Sequence, residues 1–218
     1  MLVHPLACGY GYCFLLEDPH GLYLIDTGTP DREAVVLTKM KELGRTDLKV
    51  IWITHAHIDH YGSAAALRRL TGTPIGVHPA DAGTMASGQS PLGVSREWGF
   101  IYYLAQPILQ LMRPIKATPP DFTLEDGDTL ESYGLNASIL HTPGHMPGHT
   151  CVLLEDGTAF AADLIARSPR LGLQFLMATD WSQLPASLAK LKAARPEIVY
   201  TGHSRIPISG ADLQMITP

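Results

Sequence analysis

The pattern of apolar and polar positions changes period several times along the chain. YCFLLED (12–18) and GLYLIDTG (21–28) are short strand-like runs joined through Asp18, Pro19, His20 and Gly21, so the first 28 residues read as a hairpin. In 31–44 the apolar residues Val35, Val36, Met40 and Leu43 recur near helical spacing, and Gly44 can end the helix. VIWIT (50–54) is apolar on both sides, as expected of a strand with helices on both faces. A helix in GSAAALRRLTG (62–72) and a strand in TPIGVH (73–78) follow.

From residue 83 to 122 the pattern becomes irregular. GTMASGQSPLGVSREWG is rich in Gly and Ser and reads as a loop, while FIYYLAQPILQLMRP is apolar and aromatic, with Pro107 and Pro114 expected to break it into pieces. An exposed apolar stretch of this kind requires a ligand or a partner, so 83–122 reads as a lid or a homodimer surface; the bland reading is a surface excursion closed over the core. Strands resume in TLEDGDTLESYGLNASILHTPGH, in TCVLLEDGTAFAAD and, after a helix near 183–194, in EIVYTGH. Two strand-rich halves with outer helices point to an α+β fold, a four-layer αββα sandwich forming one domain over 1–218. A Rossmann arrangement is disfavoured: no GxGxxG follows an early strand, and GYGY runs on into a strand where that fingerprint requires a helix.

Composition narrows the partners more than the fold. At 45% hydrophobic and 17% charged residues, the chain is a folded globular protein and not a charged tail. A formal charge of -5 provides no basic footprint for a nucleic acid backbone or an anionic membrane, so a small-molecule substrate is the expected partner. Cys8, Cys13 and Cys151 form neither a CxxC motif nor a disulfide framework and read as small buried thiols. MLVHPLACGYGYC lacks the basic start and apolar stretch of a signal peptide, and no run reaches the roughly 18 apolar residues of a spanning helix. A soluble cytoplasmic protein is the expectation.

The densest chemistry is HAHIDH (55–60), directly after VIWIT. Neutral imidazole and ionised carboxylate are the usual N and O donors for zinc and related divalent ions. His55 and His57, two apart, point the same way if the strand end is extended. Asp59 and His60 occupy the turn into the next helix and can face the same cavity from another side. Other strand ends carry the same donors: His145 in HTPGHMPGHT, Asp163 closing AFAAD and His203 closing IVYTGH. A carboxylate directly after FAA needs a compensating partner. Taken singly, Asp163 and His203 are ordinary polar side chains; with HAHIDH they supply enough ligands for two ions. His149 can orient the metal loop, whereas His4, His20, His78 and His141 carry no independent sign of ligation. Arg96, Arg113, Lys116, Arg167 and Arg170 read as solvated surface groups, or as charged partners for a substrate carboxylate.

On these residues the sequence resembles the metallo-β-lactamase-fold hydrolase superfamily, in the group that retains HxHxDH, glyoxalase II-like and lactonase-like enzymes included. HAHIDH matches that motif without a gap, TPGHMPGH resembles the TPGHTxGH loop, AFAAD the strand-terminal Asp, YTGH the late histidine, and LIDTG (24–28) the segment whose Asp supports the metal-binding loop. The resemblance implies that His55, His57 and His145 take a first metal, that Asp59, His60 and His203 take a second, and that Asp163 bridges them. Asp26 then holds the loop or a ligand histidine from behind. Two divalent ions are implied, zinc first with iron or manganese as alternatives, with a hydroxide between them as nucleophile and Asp59 and Asp163 at the catalytic centre.

The implied reaction is hydrolysis of a small ester, thioester or lactone, with Tyr102, Tyr103 and Leu104 lining the substrate pocket. The alternatives are a mononuclear iron sulfur dioxygenase, a phosphodiesterase, a weak β-lactamase and a non-catalytic metal-stabilised binding module. Glyoxalase II usually continues into a separate helical region; fifteen residues follow His203 here, so the full-length form of that enzyme is not expected.

Overall fold

The computed structural model describes residues 1–112, 114–167 and 169–218, so Arg113, one of the cationic candidates, lies outside the described residues. β1 (Leu2–Ala7), β2 (Tyr12–Asp18) and β3 (Gly21–Ile25) form an antiparallel meander. The expected hairpin is therefore present, extended by a strand that the apolar pattern did not announce. β1 has no buried residue and contains Pro5, which an edge strand tolerates because one side of it needs no ladder bond.

The chain continues through α1 (Glu33–Glu42), β4 (Leu48–Trp52), α2 (Ile58–Tyr61), α3 (Ala64–Thr71), β5 (Ile75–Val77), α4 (Pro79–Ser87), β6 (Val94–Ser95), α5 (Phe100–Met112) and β7 (Phe122–Thr123). The second half holds β8 (Ala137–His141), β9 (Thr150–Leu154), β10 (Thr158–Phe160), β11 (Ile165–Ala166), β12 (Gly172–Leu173), β13 (Met177–Ala178), α6 (Leu184–Ala193), β14 (Ile198–Tyr200), β15 (Ile208–Ser209) and α7 (Gly210–Met215). Among the described residues the first large sheet has the order β1-β2-β3-β4-β5-β7 and the second β15-β14-β10-β9-β8. No described helix is long and apolar enough to cross a membrane.

Apolar layers on either side of and between these sheets make the four-layer αββα sandwich. Val36, Met40, Ala64 and Leu67 from α1 and α3 pack against Leu24, Ile51 and Ile75. Phe14, Val50 and Trp52 meet Ile139, Val152 and Phe160 between the sheets. Leu184, Leu188 and Leu191 of α6, with Leu213 of α7, cover the far face of the second sheet. VIWIT is thus apolar on both sides for a different reason from the one expected: Ile51 faces helices, whereas Val50 and Trp52 face the other sheet.

Two expectations within 83–122 are corrected. Part of the supposed Gly/Ser loop is helix, because α4 runs on to Ser87 with Met85 buried in the core, ending at Gly88 in the left-handed conformation (φ 68°). α5 is unbroken from Phe100 to Met112 with Pro107 inside it. The proline forfeits the bond to the Tyr103 carbonyl, but Tyr103 is exposed, so water can take the vacated acceptor and the helix survives. Likewise, beyond Thr123, which closes β7, TLEDGDTLESYGLNASILH becomes regular strand only in β8, with turns at Asp126, Gly127 and Gly134 before it.

Topology gathers the candidate chemistry at one end of the sandwich. β3, β4 and β5 run parallel, and β8, β10 and β14 share a direction in the other sheet. Their C-terminal ends lead into Asp26, HAHIDH, the 142–149 loop, Asp163 and His203.

Candidate metal centre

Asp26, directly after β3, is buried with a left-handed backbone (φ 61°). Its Oδ1 accepts from Thr54 N at 2.8 Å, the Thr54 hydroxyl lies 3.0 and 2.8 Å from its two oxygens, and His60 Nδ1 lies 2.8 Å from Oδ2. A carboxylate oxygen accepts, so His60 Nδ1 carries a proton and Nε2 turns inward.

The same logic fixes three more rings. His57 Nε2 lies 2.8 Å from the Pro91 carbonyl, His145 Nδ1 2.9 Å from the Met177 carbonyl and His203 Nδ1 3.0 Å from the Tyr10 carbonyl. Carbonyls accept, so these nitrogens donate outward. His55 Nδ1 lies 3.1 Å from Thr54 Oγ1, whose own hydrogen is engaged by Asp26. The inward nitrogens His55 Nε2, His57 Nδ1 and His145 Nε2 are left bare at mutual distances of 3.0, 2.9 and 3.2 Å. Lone pairs so arranged repel unless a cation lies among them. Burial keeps the rings neutral, pushing His55 and His145 well below the ordinary imidazole range and His57 below it. His55 and His57 do converge as their spacing suggested, but through different ring nitrogens.

Asp163, in the single-turn helix Ala162–Leu164, joins this triangle to a second group. Its Oδ1 lies 3.4 Å from His60 Nε2, and its Oδ2 3.1 Å from His203 Nε2 and 3.5 Å from His145 Nε2. Asp59 Oδ2 lies 3.6 Å from His203 Nε2 and 3.9 Å from His60 Nε2. Ligand atoms of His55–His57–His145, of His55–His60–Asp163 and of Asp59–His60–His203 fall within 4.8 Å of one another in each group. Here carboxylates outweigh desolvation: against burial, Asp26, Asp163 and Asp59 raise His60 well above its usual range, and Asp163 and Asp59 raise His203 to about 9, so a cation bound here would displace the proton that these carboxylates otherwise hold on each Nε2. Asp163 is held well below the carboxylate range, against its own burial, by His203 and His60.

Among the described residues, His60 Nε2, His149 Nε2 and Asp163 Oδ1 are buried side-chain atoms without a hydrogen-bond partner. Orphaned buried polar atoms of this kind need an ion or water to complete them. The N and O donor set fits zinc or a related divalent metal.

The ligand-type residues singled out in the sequence therefore come together, with Asp26 behind His60. His149 stands beside them, its ring 5.2 Å from that of His55 and its Nδ1 3.1 Å from the Thr142 carbonyl. Partial burial and the Asp59 and Asp163 carboxylates push the Tyr102 hydroxyl up. All three pocket candidates, Tyr102, Tyr103 and Leu104, are exposed on α5. Three of the cationic candidates are engaged elsewhere: Arg96 lies 4.2 Å over the Trp181 ring, Arg170 pairs with Glu97 at 2.6 Å, and Arg167 donates to the Ile206 and Pro207 carbonyls. The sequence reading passed over Thr54, whose only signal was a hydroxyl at a buried strand end. It also passed over Gly202, where a Cβ would collide with Asp163 Oδ1 and lie 3.0 Å from His60 Cε1.

Known proteins share this architecture. The chain is 25% identical to the probable metallo-hydrolase YflN of Bacillus subtilis (strain 168), over 97% of this chain and 87% of that one. It is 27% identical to a hydroxyacylglutathione hydrolase of Maricaulis maris (strain MCS10), over 93% of this chain but only 66% of the relative, just under two thirds of its length. The crystal structure of TTHA1623 in a di-iron-bound form aligns with a TM-score of 0.72 at 25% identity, covering 100% of this chain and 99% of that one. Fold, relatives and the histidine–carboxylate cluster together support a catalytic, metal-dependent hydrolase. The profile of the metallo-beta-lactamase superfamily matches residues 6–203, a stretch that holds every ligand-type side chain of the cluster, and the chain belongs to that superfamily.

Proposed function

We propose that the protein is a binuclear metal-dependent hydrolase of a small carboxylic ester, thioester or lactone. The observation that carries this reading is the position of Asp163, whose Oδ2 lies 3.5 Å from His145 Nε2 of the first group and 3.1 Å from His203 Nε2 of the second, with Oδ1 3.4 Å from His60 Nε2. His55, His57 and His145 would hold one ion, Asp59, His60 and His203 the other, with Asp163 shared; zinc is the first expectation, iron or manganese the alternatives. When bound, such ions supply an activated water nucleophile and a Lewis acid for the substrate carbonyl. The chain's own groups set the stage: the Pro91, Met177 and Tyr10 carbonyls hold the rings with lone pairs inward, and Asp26 fixes His60. Tyr102, Tyr103 and Leu104 are assigned to the substrate side, where α5 shields an acyl or aromatic portion from water.

The likeness to a hydroxyacylglutathione hydrolase supports thioester chemistry. The di-iron form of TTHA1623 supports two ions and keeps iron among the candidates. The charge of -5 favours a small carbonyl substrate over a nucleic acid phosphodiester. The test is a panel of esters, thioesters, lactones and phosphodiesters offered to wild type, Asp163→Ala and Cys151→Ala. Carbonyl substrates turned over by wild type and Cys151→Ala, with activity lost in Asp163→Ala, is the expected result. Near-wild-type turnover by Asp163→Ala, or phosphodiesters processed far faster than every carbonyl compound, overturns the reading.

A further inference from the structure

Asp81 carries a carboxylate with no exposed surface, in the first turn of α4. Its Oδ2 accepts from Ala56 N at 2.9 Å and its Oδ1 accepts from Gly148 N at 2.7 Å. Ala56 separates His55 from His57, and Gly148 lies between His145 and His149. The two loops that bring histidines to the first ion therefore hang on opposite oxygens of one side chain. Gly148 is part of the arrangement, because a Cβ there would lie 2.6 Å from Asp81 Cγ.

A tie between these loops already exists. Thr150 N and Thr150 Oγ1 both donate to the Thr54 carbonyl, at 2.9 and 3.1 Å. Burying a carboxylate to join two neutral amides is an expensive second tie if joining is all it does. Asp81 adds something that Thr150 does not. It anchors both sides of the His57 Nδ1 to His145 Nε2 pair, 2.9 Å apart across the two loops.

We infer that Asp81 is a positioning residue that holds the two histidine loops in register for the first ion. This assignment rests on the two-ion reading proposed above, and the experiment separates the two. Metal-loaded wild type, Asp81→Asn and Thr150→Val are dialysed against graded chelator, with metal content and the visible spectrum of the cobalt-substituted proteins as readouts. Asparagine keeps the size but turns a donor amide toward a backbone N–H. Asp81→Asn is expected to release one of its ions about 10- to 100-fold more readily than wild type, while the other ion and its cobalt spectrum are unchanged. Thr150→Val is expected to loosen the fold without selecting one ion. Wild type that holds two ions while Asp81→Asn releases both alike, or neither, overturns the assignment alone; wild type that holds only one overturns the two-ion reading and this with it. Should Asp81→Asn not fold, amide exchange on metal-free wild type decides: Ala56 and Gly148 amides protected like core strands support the clamp, and exchange at open-loop rates overturns it.

Discussion

Gly202→Ala places a methyl group where the site has no room for one. The new Cβ would collide with Asp163 Oδ1 and stand 3.0 Å from His60 Cε1. Since an unstrained contact between heavy atoms is about 3.5 Å, the carboxylate has to retreat by roughly 1 Å. Its surroundings resist: Asp163 is buried, its Oδ2 is 3.1 Å from His203 Nε2, and Ala162 before it already occupies the left-handed region (φ 43°). Overpacking of this kind costs about 1–3 kcal/mol, so a folded variant is expected. The backbone tie from Gly202 N to the Ala162 carbonyl, 2.9 Å long, does not involve the side chain and is retained. A displacement of about 1 Å at a group that places the reacting centre lowers turnover on the order of 100-fold. Circular dichroism establishes folding, metal analysis after dialysis reports retention, and steady-state kinetics on the best panel substrate gives the rate. A folded variant with full metal content and wild-type turnover refutes the reasoning that the missing side chain of Gly202 sets the position of Asp163.

Three further outcomes follow from named contacts. Thr54→Val leaves Asp26 and His55 Nδ1 short of the Thr54 hydroxyl in a buried site, so metal-free protein should lose about 1–3 kcal/mol in urea denaturation, and an unchanged midpoint contradicts this. Burial and the neighbouring His141 push His78 down to about 4, below the ordinary value of about 6.5. The unfolded chain then binds the proton more tightly, so His78 contributes stability that is complete above pH of about 6.5 and lost as pH falls toward about 4. At pH of about 5 the loss is about 2 kcal/mol; His78→Asn keeps an acceptor for Ala80 N but cannot titrate, so its urea stability should fall by that much less than wild type, and parallel declines contradict the assignment. Finally, kcat/KM should rise with acyl chain length in a series of esters or lactones, each additional buried CH₂ contributing about 0.8 kcal/mol. Replacing Tyr102, Tyr103 and Leu104 by small polar residues should flatten the dependence; a series flat in both proteins puts α5 outside the pocket and favours its use as a surface between two copies of the chain.

The clustered histidines and carboxylates were legible because chemistry and punctuation coincide in the sequence. HAHIDH, Asp163 and His203 each follow an apolar run that ends where a polar group has no business unless it has a partner. Ring orientation was not legible, because the carbonyls that fix it belong to Pro91, Met177 and Tyr10, distant in sequence from the histidines they hold. Asp81 gave no signal, since a carboxylate in a short helix reads as solvated until the loops packed on it are known. Gly83, Ser87 and Pro107 misled as local breakers, their preferences overridden by burial of Met85 in α4 and by solvation of the α5 backbone. The strand in VIWIT was plain, but which layer covers each of its faces depends on residues Ile139, Val152 and Phe160 from the other half of the chain.

Metal content per chain, measured by elemental analysis on protein purified without added metal, tests the central claim most directly. The clustering of His55, His57 and His145, and of Asp59, His60 and His203, about the shared Asp163 predicts a value close to two divalent ions. A reproducible value near one, above all iron alone, contradicts the binuclear account and favours mononuclear dioxygenase chemistry on the same fold.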